Sequence, residues 1–259
     1  MSASGHWSDL APRVMSGVAL AAVGAVDLWL GGWPFIVTVA ALCGLMSWEG
    51  GRMFEAPNAL GLGIFACAAL MLAWMMPWWG VMPVLIGAAL AGGGQAGRDK
   101  GLFAAFSVWI MVACYALLLL RQEAGLIWMI WLVLVVITSD IAGYFAGRSF
   151  GGPKFWPSIS PKKTWSGTVA GWIGAVVIGL AFMGPTGVGF ALVPVSVVVC
   201  FVGQMGDIGV SAIKRRVGVK DSSNLIPGHG GVLDRFDAMM GAGAATMLLW
   251  IFNLIAVGS

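Results

Sequence analysis

Charge is what this chain has least of. Lys, Arg, Asp and Glu make up 10% of its 259 residues, where soluble domains carry about 25%. With 59% hydrophobic residues and a mean hydropathy of +0.92, the deficit excludes a separate soluble domain. The long apolar runs lack the in-out alternation of a membrane β-barrel. What is left is an all-α, polytopic membrane helix bundle. Histidine is scarce too, with 2 residues, and no Ser-His-Asp or Cys-His arrangement is suggested. The four cysteines, Cys43, Cys67, Cys114 and Cys200, sit in apolar runs without Cys-x-x-Cys or Cys/His metal spacing. They read as small buried hydrophobes, not as a disulfide framework. Heptads, fixed-period repeats and low-complexity linkers are absent. A single integral membrane domain over 1–259 is therefore expected, with N-terminal helices 1–121 and a more polar half, 122–259.

A spanning helix needs about 20 mostly apolar residues. That length predicts nine spans, at 12–30, 34–48, 58–76, 78–94, 102–120, 125–147, 167–184, 187–206 and 238–257. The first is expected to stay as an anchor, because further spans follow at once. Lys and Arg stay with cytoplasmic loops. With the N-terminus inside, all of the 14 Lys and Arg except Arg121 fall on the cytoplasmic side. The external connections are short and Trp-bearing, as at Gly31-Gly32-Trp33-Pro34 and Pro77-Trp78-Trp79, and Trp favours the membrane interface. In the first five spans polar groups are few. Asp27 reads as an interfacial carboxylate, and Glu49, Arg52 and Glu55 as a solvated, mixed-charge turn. The net charge of +3 is small, and no nucleic-acid partner is expected.

The charge that exists is concentrated. The window Gly206–Asp237 holds five of the 14 Lys and Arg and four of the 11 Asp and Glu, between apolar flanks. Ionisable groups beside a span are costly and point to function. On a continuing helix, Asp207, Ser211, Lys214 and Arg215 share one face at i, i+4, i+7 and i+8. Pro227, Gly228, Gly230 and Gly231 break the helix and let backbone N–H groups approach an anion. His229 lies between those glycines, suited either to a phosphate or to a role in the turn. Asp234, Arg235 and Asp237 open the last span. Two carboxylates from different segments can hold Mg²⁺ while substrate phosphates fill its remaining sites. The nearby cations would offset phosphoryl charge. Lys220 is a further, weaker cation of the same loop.

Span six is interrupted by Thr138-Ser139-Asp140. Asp140, Tyr144 and Arg148 share one helix face, which suits either a structural Asp140–Arg148 network or a substrate contact. The cytoplasmic segments 148–166 and 207–237 are expected to be loops. In the first of them Ser160, Lys162, Lys163 and Thr164 supply two cations and two hydroxyls. That set suits phosphate better than a bare membrane anchor, which has no need of hydroxyls.

Taken together, Ser211-x-x-Lys214-Arg215, Lys220-Asp221, Pro227-Gly228-His229-Gly230-Gly231 and Asp234-Arg235-x-Asp237 resemble the signature of the bacterial phosphatidate cytidylyltransferase, or CDP-diacylglycerol synthase, family. The match spans 27 residues at fixed spacing. It extends to Ser139-Asp140 through Arg148 and to Ile159 through Trp165, whereas the first 120 residues match only as apolar spans. The resemblance implies that CTP and phosphatidate give CDP-diacylglycerol and pyrophosphate for phospholipid synthesis. It implies Mg²⁺ at Asp207 and Asp234, with a second cation left open, and a homodimer in the inner membrane with its site facing the cytoplasm. Asp207, Asp234, Lys214 and Arg215 would then be catalytic. Asp140, Ser160, Lys162, Lys163, Thr164, Ser211, Lys220, His229, Arg235 and Asp237 would contact substrate. Two departures stand out: many members carry Glu at the position of Ser166, which receives no role here, and an aromatic near Ser222.

Two other readings stay open on sequence alone. One is a related CTP-dependent membrane enzyme acting on another lipid. The other is a transporter, since polar residues inside spans often mark an ion path. Transporters tend to show paired interrupted helices in two related halves, and here the polar residues crowd into the C-terminal half. The Asp-x-x-Asp-Gly-x-x-Ala-Arg pattern of CDP-alcohol phosphotransferases is absent.

Overall fold

The computed structural model describes residues 10–226 and 230–252. Among these, nine α-helices follow one another: α1 (Leu10–Leu30), α2 (Gly32–Met53), α3 (Ala59–Met75), α4 (Trp78–Gly94), α5 (Lys100–Leu119), α6 (Leu126–Ser149), α7 (Trp165–Phe182), α8 (Leu192–Arg216) and α9 (Leu233–Ile251). A π-helical turn, Leu120–Ala124, extends α5, and a 3-10 turn, Gly189–Ala191, leads into α8. Each predicted span falls on one of these helices; the end of the ninth lies outside the described residues. Among the described residues, five helical stretches are long and apolar enough to cross a membrane: Gly32–Met53, Lys100–Ala124, Leu126–Ser149, Trp165–Phe182 and Gly189–Arg216. Ala59–Met75 and Trp78–Gly94 are shorter apolar helices.

Segment 148–166, expected to be a loop, contains an antiparallel hairpin of β1 (Lys154–Trp156) and β2 (Ser160–Thr164). Lys154 lies opposite Thr164 and Trp156 opposite Ser160, with an irregularity between them. Gly151 (φ 58°) and Gly152 (φ 98°) turn the chain out of α6 in the left-handed region that glycine tolerates. The Trp165 N–H donates to the Pro153 carbonyl (3.0 Å) and closes the hairpin base. The Phe155 and Trp165 rings, 4.7 Å apart, pack there. The Gly and Pro signals were read correctly as turns, but the strands between them are too short to show a period in sequence.

The described residues form two compact units. The first runs to Met111 and includes Val219–Phe236. In it α2 and α3 pack closely through glycines. A Cβ on Gly44 would lie 2.8 Å from the Gly63 carbonyl oxygen, and one on Gly63 would lie 2.7 Å from that of Gly44. Small residues at such crossings let backbones approach where lipid offers no hydrophobic drive. Phe54, fully buried, stacks its ring near Phe103 (5.0 Å) and Phe106 (6.4 Å). Asn58 starts α3, its Oδ1 accepting the Gly61 N–H at 2.9 Å.

The second unit is Val112–Gly218 with the residues from Asp237 onward. Its helix α7 has the pattern of a lipid-facing helix. Gly167, Gly171, Ala175 and Gly179, spaced by four, form the buried face. Val169, Ile173, Val177 and Leu180 are exposed. Large apolar side chains outward and small ones inward reverse the soluble pattern, as expected where the solvent is hydrocarbon. Buried polar groups need partners. Trp131, fully buried in α6, donates from Nε1 to Ser196 Oγ (2.9 Å), and that hydroxyl donates to the Leu192 carbonyl (2.7 Å).

Gly44→Val is expected to force α2 and α3 apart and destabilise the protein by about 1–3 kcal/mol. A lower thermal midpoint in detergent, compared with a substitution at Gly24, where a Cβ meets nothing within 4 Å, checks this.

Candidate active site

In the second unit a cavity of about 500 Å³ opens between α6, the hairpin, α7 and α8. Of the residues singled out in sequence, Asp140, Lys162, Lys163 and Thr164 line it, together with Tyr144 and Arg148. Arg148 donates to the Tyr144 hydroxyl (2.8 Å), one turn away. Asp140 faces charge from other elements: the Asp207 carboxylate and the Lys163 ammonium both act on it.

Lys163 crosses from β2 to α8. Its Nζ pairs with Asp207 Oδ2 at 2.5 Å and donates to the Gln204 carbonyl at 3.4 Å. Both partners of the pair keep about a quarter of their side-chain surface exposed, so an incoming anion or cation has access to it. Asp207 Oδ1 accepts from Ser211 Oγ at 3.3 Å, as the i, i+4 spacing predicted. Lys214, two turns along from Asp207, is buried at 7% exposure, whereas Arg215 is exposed. Asp237 accepts the Ala238 N–H (2.8 Å) and lies within electrostatic reach of Asp207, Lys214 and Asp140. Three carboxylates and two lysines thus share one neighbourhood of this unit.

Two of the predicted substrate contacts have other occupations. Thr164, 4% exposed, caps α7, its Oγ1 accepting the Gly167 N–H at 3.2 Å and lying 3.0 Å from Ser166 Oγ. Ser166, given no role, donates to the Gly151 carbonyl (2.5 Å) and ties the hairpin base to α7. Ser160 sits on β2 opposite Trp156, away from the cavity lining.

Gln204 was missed in sequence. Its Nε2 donates to Ser139 Oγ (3.1 Å) and the Thr168 carbonyl (3.3 Å), and its Oε1 accepts from Trp172 Nε1 (3.1 Å). One amide therefore joins α6, α7 and α8 in the cavity wall, which Ser139, Thr168 and Gln204 all line. The available signal was an uncharged amide near the end of an otherwise apolar run, which a search for charge passes over.

In the first unit, Asp234 stands on the first turn of α9. Its Oδ2 accepts from the Ser222 N–H (2.9 Å), Ser222 Oγ (3.1 Å) and the Gly231 N–H (2.9 Å). Lys220 lines a cleft of about 730 Å³ with Trp48, Arg52 and Ser222–Leu225. The Arg52 guanidinium lies over the Trp48 ring, 5.2 Å from its centroid. Arg235 is exposed on α9, and His229 lies outside the described residues. The reading of Glu49 as solvated is corrected: Glu49 is 0% exposed and takes four hydrogen bonds from Ser222, Ser223, Val232 and Leu233. Its partners lie 173 to 184 residues away, so local composition could not reveal them.

Among the described residues no group of three or more His, Cys, Asp or Glu side chains is disposed as a metal cage. Mg²⁺ does not require one, since one or two carboxylates with waters and substrate phosphates complete its octahedron. The donors present are hard carboxylate oxygens. At Asp207 a cation, the Lys163 ammonium, already sits on one of them.

The fold and cavity define a multi-helix membrane protein with an anion-compatible polar site lined from α6, α7 and a basic hairpin. The chain belongs to the cytidylyltransferase family, whose model matches residues 11–252. It is similar to the phosphatidate cytidylyltransferase of Brucella suis, at 33% identity over 264 residues, covering 96% of this chain and 94% of that protein. It is 27% identical over 256 residues to the protein of the same name from Bacillus subtilis, covering 90% and 94% of the two chains. A match to the Haemophilus influenzae protein of that name is 41% identical over 127 residues, 46% of this chain and 43% of that one.

Gln204→Leu is expected to leave Trp172 Nε1 without its acceptor and to destabilise the protein by about 1–3 kcal/mol. Thermal unfolding in detergent checks this.

Proposed function

We infer that this chain transfers the cytidylyl group of CTP to phosphatidate, giving CDP-diacylglycerol and pyrophosphate for phospholipid synthesis. The observation that carries this is the cavity lined by Lys162, Lys163, Arg148 and Asp140, whose Lys163 pairs with Asp207, in a chain aligned over 96% of its length with a phosphatidate cytidylyltransferase.

In the reaction an oxygen of the phosphatidate phosphate attacks the α-phosphorus of CTP. The bond from that phosphorus to the β-phosphate bridging oxygen breaks, and pyrophosphate leaves with its electron pair. A phosphomonoester loses its second proton at a pKa of about 6, so the nucleophile is already largely ionised near neutrality and needs no side chain to deprotonate it. The work of the protein is positioning and charge stabilisation. Lys163, drawn toward Asp207 in this structure, can exchange that carboxylate for a phosphate oxygen. Lys162 and Arg148 add donors at the cavity. Lys214, Arg215, Arg235 and Lys220 are the remaining candidate phosphate contacts. We assign Mg²⁺ as cofactor with Asp207 and Asp234 as its ligands, on the strength of the sequence motif and the hard oxygen donors. Bound there, it would supply charge neutralisation on the phosphates.

All nine helices are proposed to span the inner membrane with the N-terminus and the site on the cytoplasmic face, and the protein is proposed to act as a homodimer. The one-sided distribution of Lys and Arg supports the orientation. Exposed Trp33, Trp78 and Trp79 at the short connections suit the opposite interface.

Purified protein given labelled CTP, phosphatidate and Mg²⁺ is expected to release pyrophosphate and form CDP-lipid. Failure with phosphatidate but turnover with another lipid from a panel would reassign the acceptor. Asp207→Ala and Asp234→Ala are each expected to reduce turnover by more than about 100-fold while the protein remains folded in detergent. Normal Mg²⁺-dependent activity in either variant would remove that aspartate from the metal site.

A further inference from the structure

We propose that Glu49 is a positioning residue for the reaction, holding Ser222, Ser223 and the start of α9 in their working positions; the proposal rests on the cytidylyltransferase reading. Glu49 lies near the end of α2 and is wholly buried. Its Oε1 accepts from Ser223 Oγ (2.5 Å) and the Val232 N–H (2.9 Å), and its Oε2 from Ser222 Oγ (3.0 Å) and the Leu233 N–H (2.7 Å). A buried carboxylate is costly unless its lone pairs are filled, and here each oxygen has two donors. Two of these are backbone N–H groups at the start of α9, which no intrahelical carbonyl can satisfy. The negative charge also sits at the positive end of that helix. Glu49 therefore caps α9 from a position far upstream in sequence.

The hydroxyl of Ser222 links this cap to the motif. Ser222 Oγ lies 3.0 Å from Glu49 Oε2 and 3.1 Å from Asp234 Oδ2. It carries one proton, so the two carboxylates share it. Asp234 is held further by the Ser222 and Gly231 N–H groups. Glu49 thus fixes Ser222, Ser223 and the start of α9, and through Ser222 it sets where the Asp234 carboxylate rests. Gly231 has no room for a side chain, because an added Cβ would collide with Ser222 Oγ and the Glu49 carboxylate. A glutamine at position 49 offers one acceptor oxygen and two N–H donors to a set of four donors, so it cannot reproduce the arrangement.

Hydrogen–deuterium exchange of the metal-free protein in detergent, compared with kinetics, tests the assignment. Glu49→Gln is expected to speed exchange of the Ser222, Ser223, Val232 and Leu233 amides while leaving α6–α8 unchanged. It is expected to lower kcat/KM for CTP by about 10- to 100-fold, as loss of outer-shell partners does at metal sites, and to raise the Mg²⁺ concentration for half-activation. Glu49→Asp is expected to recover part of the loss. Ser222→Ala and Ser223→Ala, which remove one donor each, guard against a variant that fails to fold. Combined with Glu49→Gln they are expected to add little further loss. Unchanged exchange, full kcat/KM per folded molecule, or additive losses in the combined variants would each overturn the proposal. If the wild-type protein shows no CTP turnover, the enzymatic reading fails, and the exchange experiment alone then decides whether Glu49 orders these residues.

Discussion

A polar group buried in an apolar chain is costly unless it finds a partner inside the protein, and this constraint shapes the polar networks here. Hydrocarbon supplies no hydrogen bonds, so an orphaned donor or acceptor costs several kcal/mol. With 10% charged residues, the chain has few such groups and gathers them. Glu49 collects four donors. Gln204 joins three helices through one amide. Trp131 and Ser196 settle each other in the core of α6 and α8. The unit containing α6–α8 then has a polar cavity with an apolar exterior, which is the geometry needed to present a charged headgroup to a nucleotide while its tails remain in lipid.

Lys163 of that cavity pairs with Asp207. Both residues are partly exposed, so the pair is worth little as a stabilising salt bridge. It keeps an ammonium and a carboxylate beside each other where both remain open to solvent. Asp140 and Asp237 add negative charge to the same neighbourhood. Clustered carboxylates repel one another unless cations accompany them, and Lys163 and Lys214 are those cations here. Such a cluster is a poor choice for stability.

The glycines have a related purpose. On α7 they clear a face on which Ser139, Gln204 and Ser196 approach the backbone, so polar contacts reach across helices that would otherwise be held apart by side chains. Three serines of the polar segments also have partners within the protein. Ser166 braces the hairpin. Ser222 and Ser223 both serve Glu49.

Sequence alone determined the class of the protein, the position of nine helices, the shared face of Asp207 and Ser211, and the residues Asp140, Lys162 and Lys163 of the cavity. Hydropathy and helical spacing are properties of contiguous residues, so they can be read without coordinates. Tertiary structure alone decided the rest. It turned Glu49 from a solvated charge into a buried cap and gave Thr164, which lines the cavity, a place as the cap of α7. It also made a hairpin of an apparent loop and brought Gln204 to the centre of a network. Each of those depends on a partner from another element, and a hydrogen bond between residues 184 positions apart leaves no periodic trace in either stretch of chain.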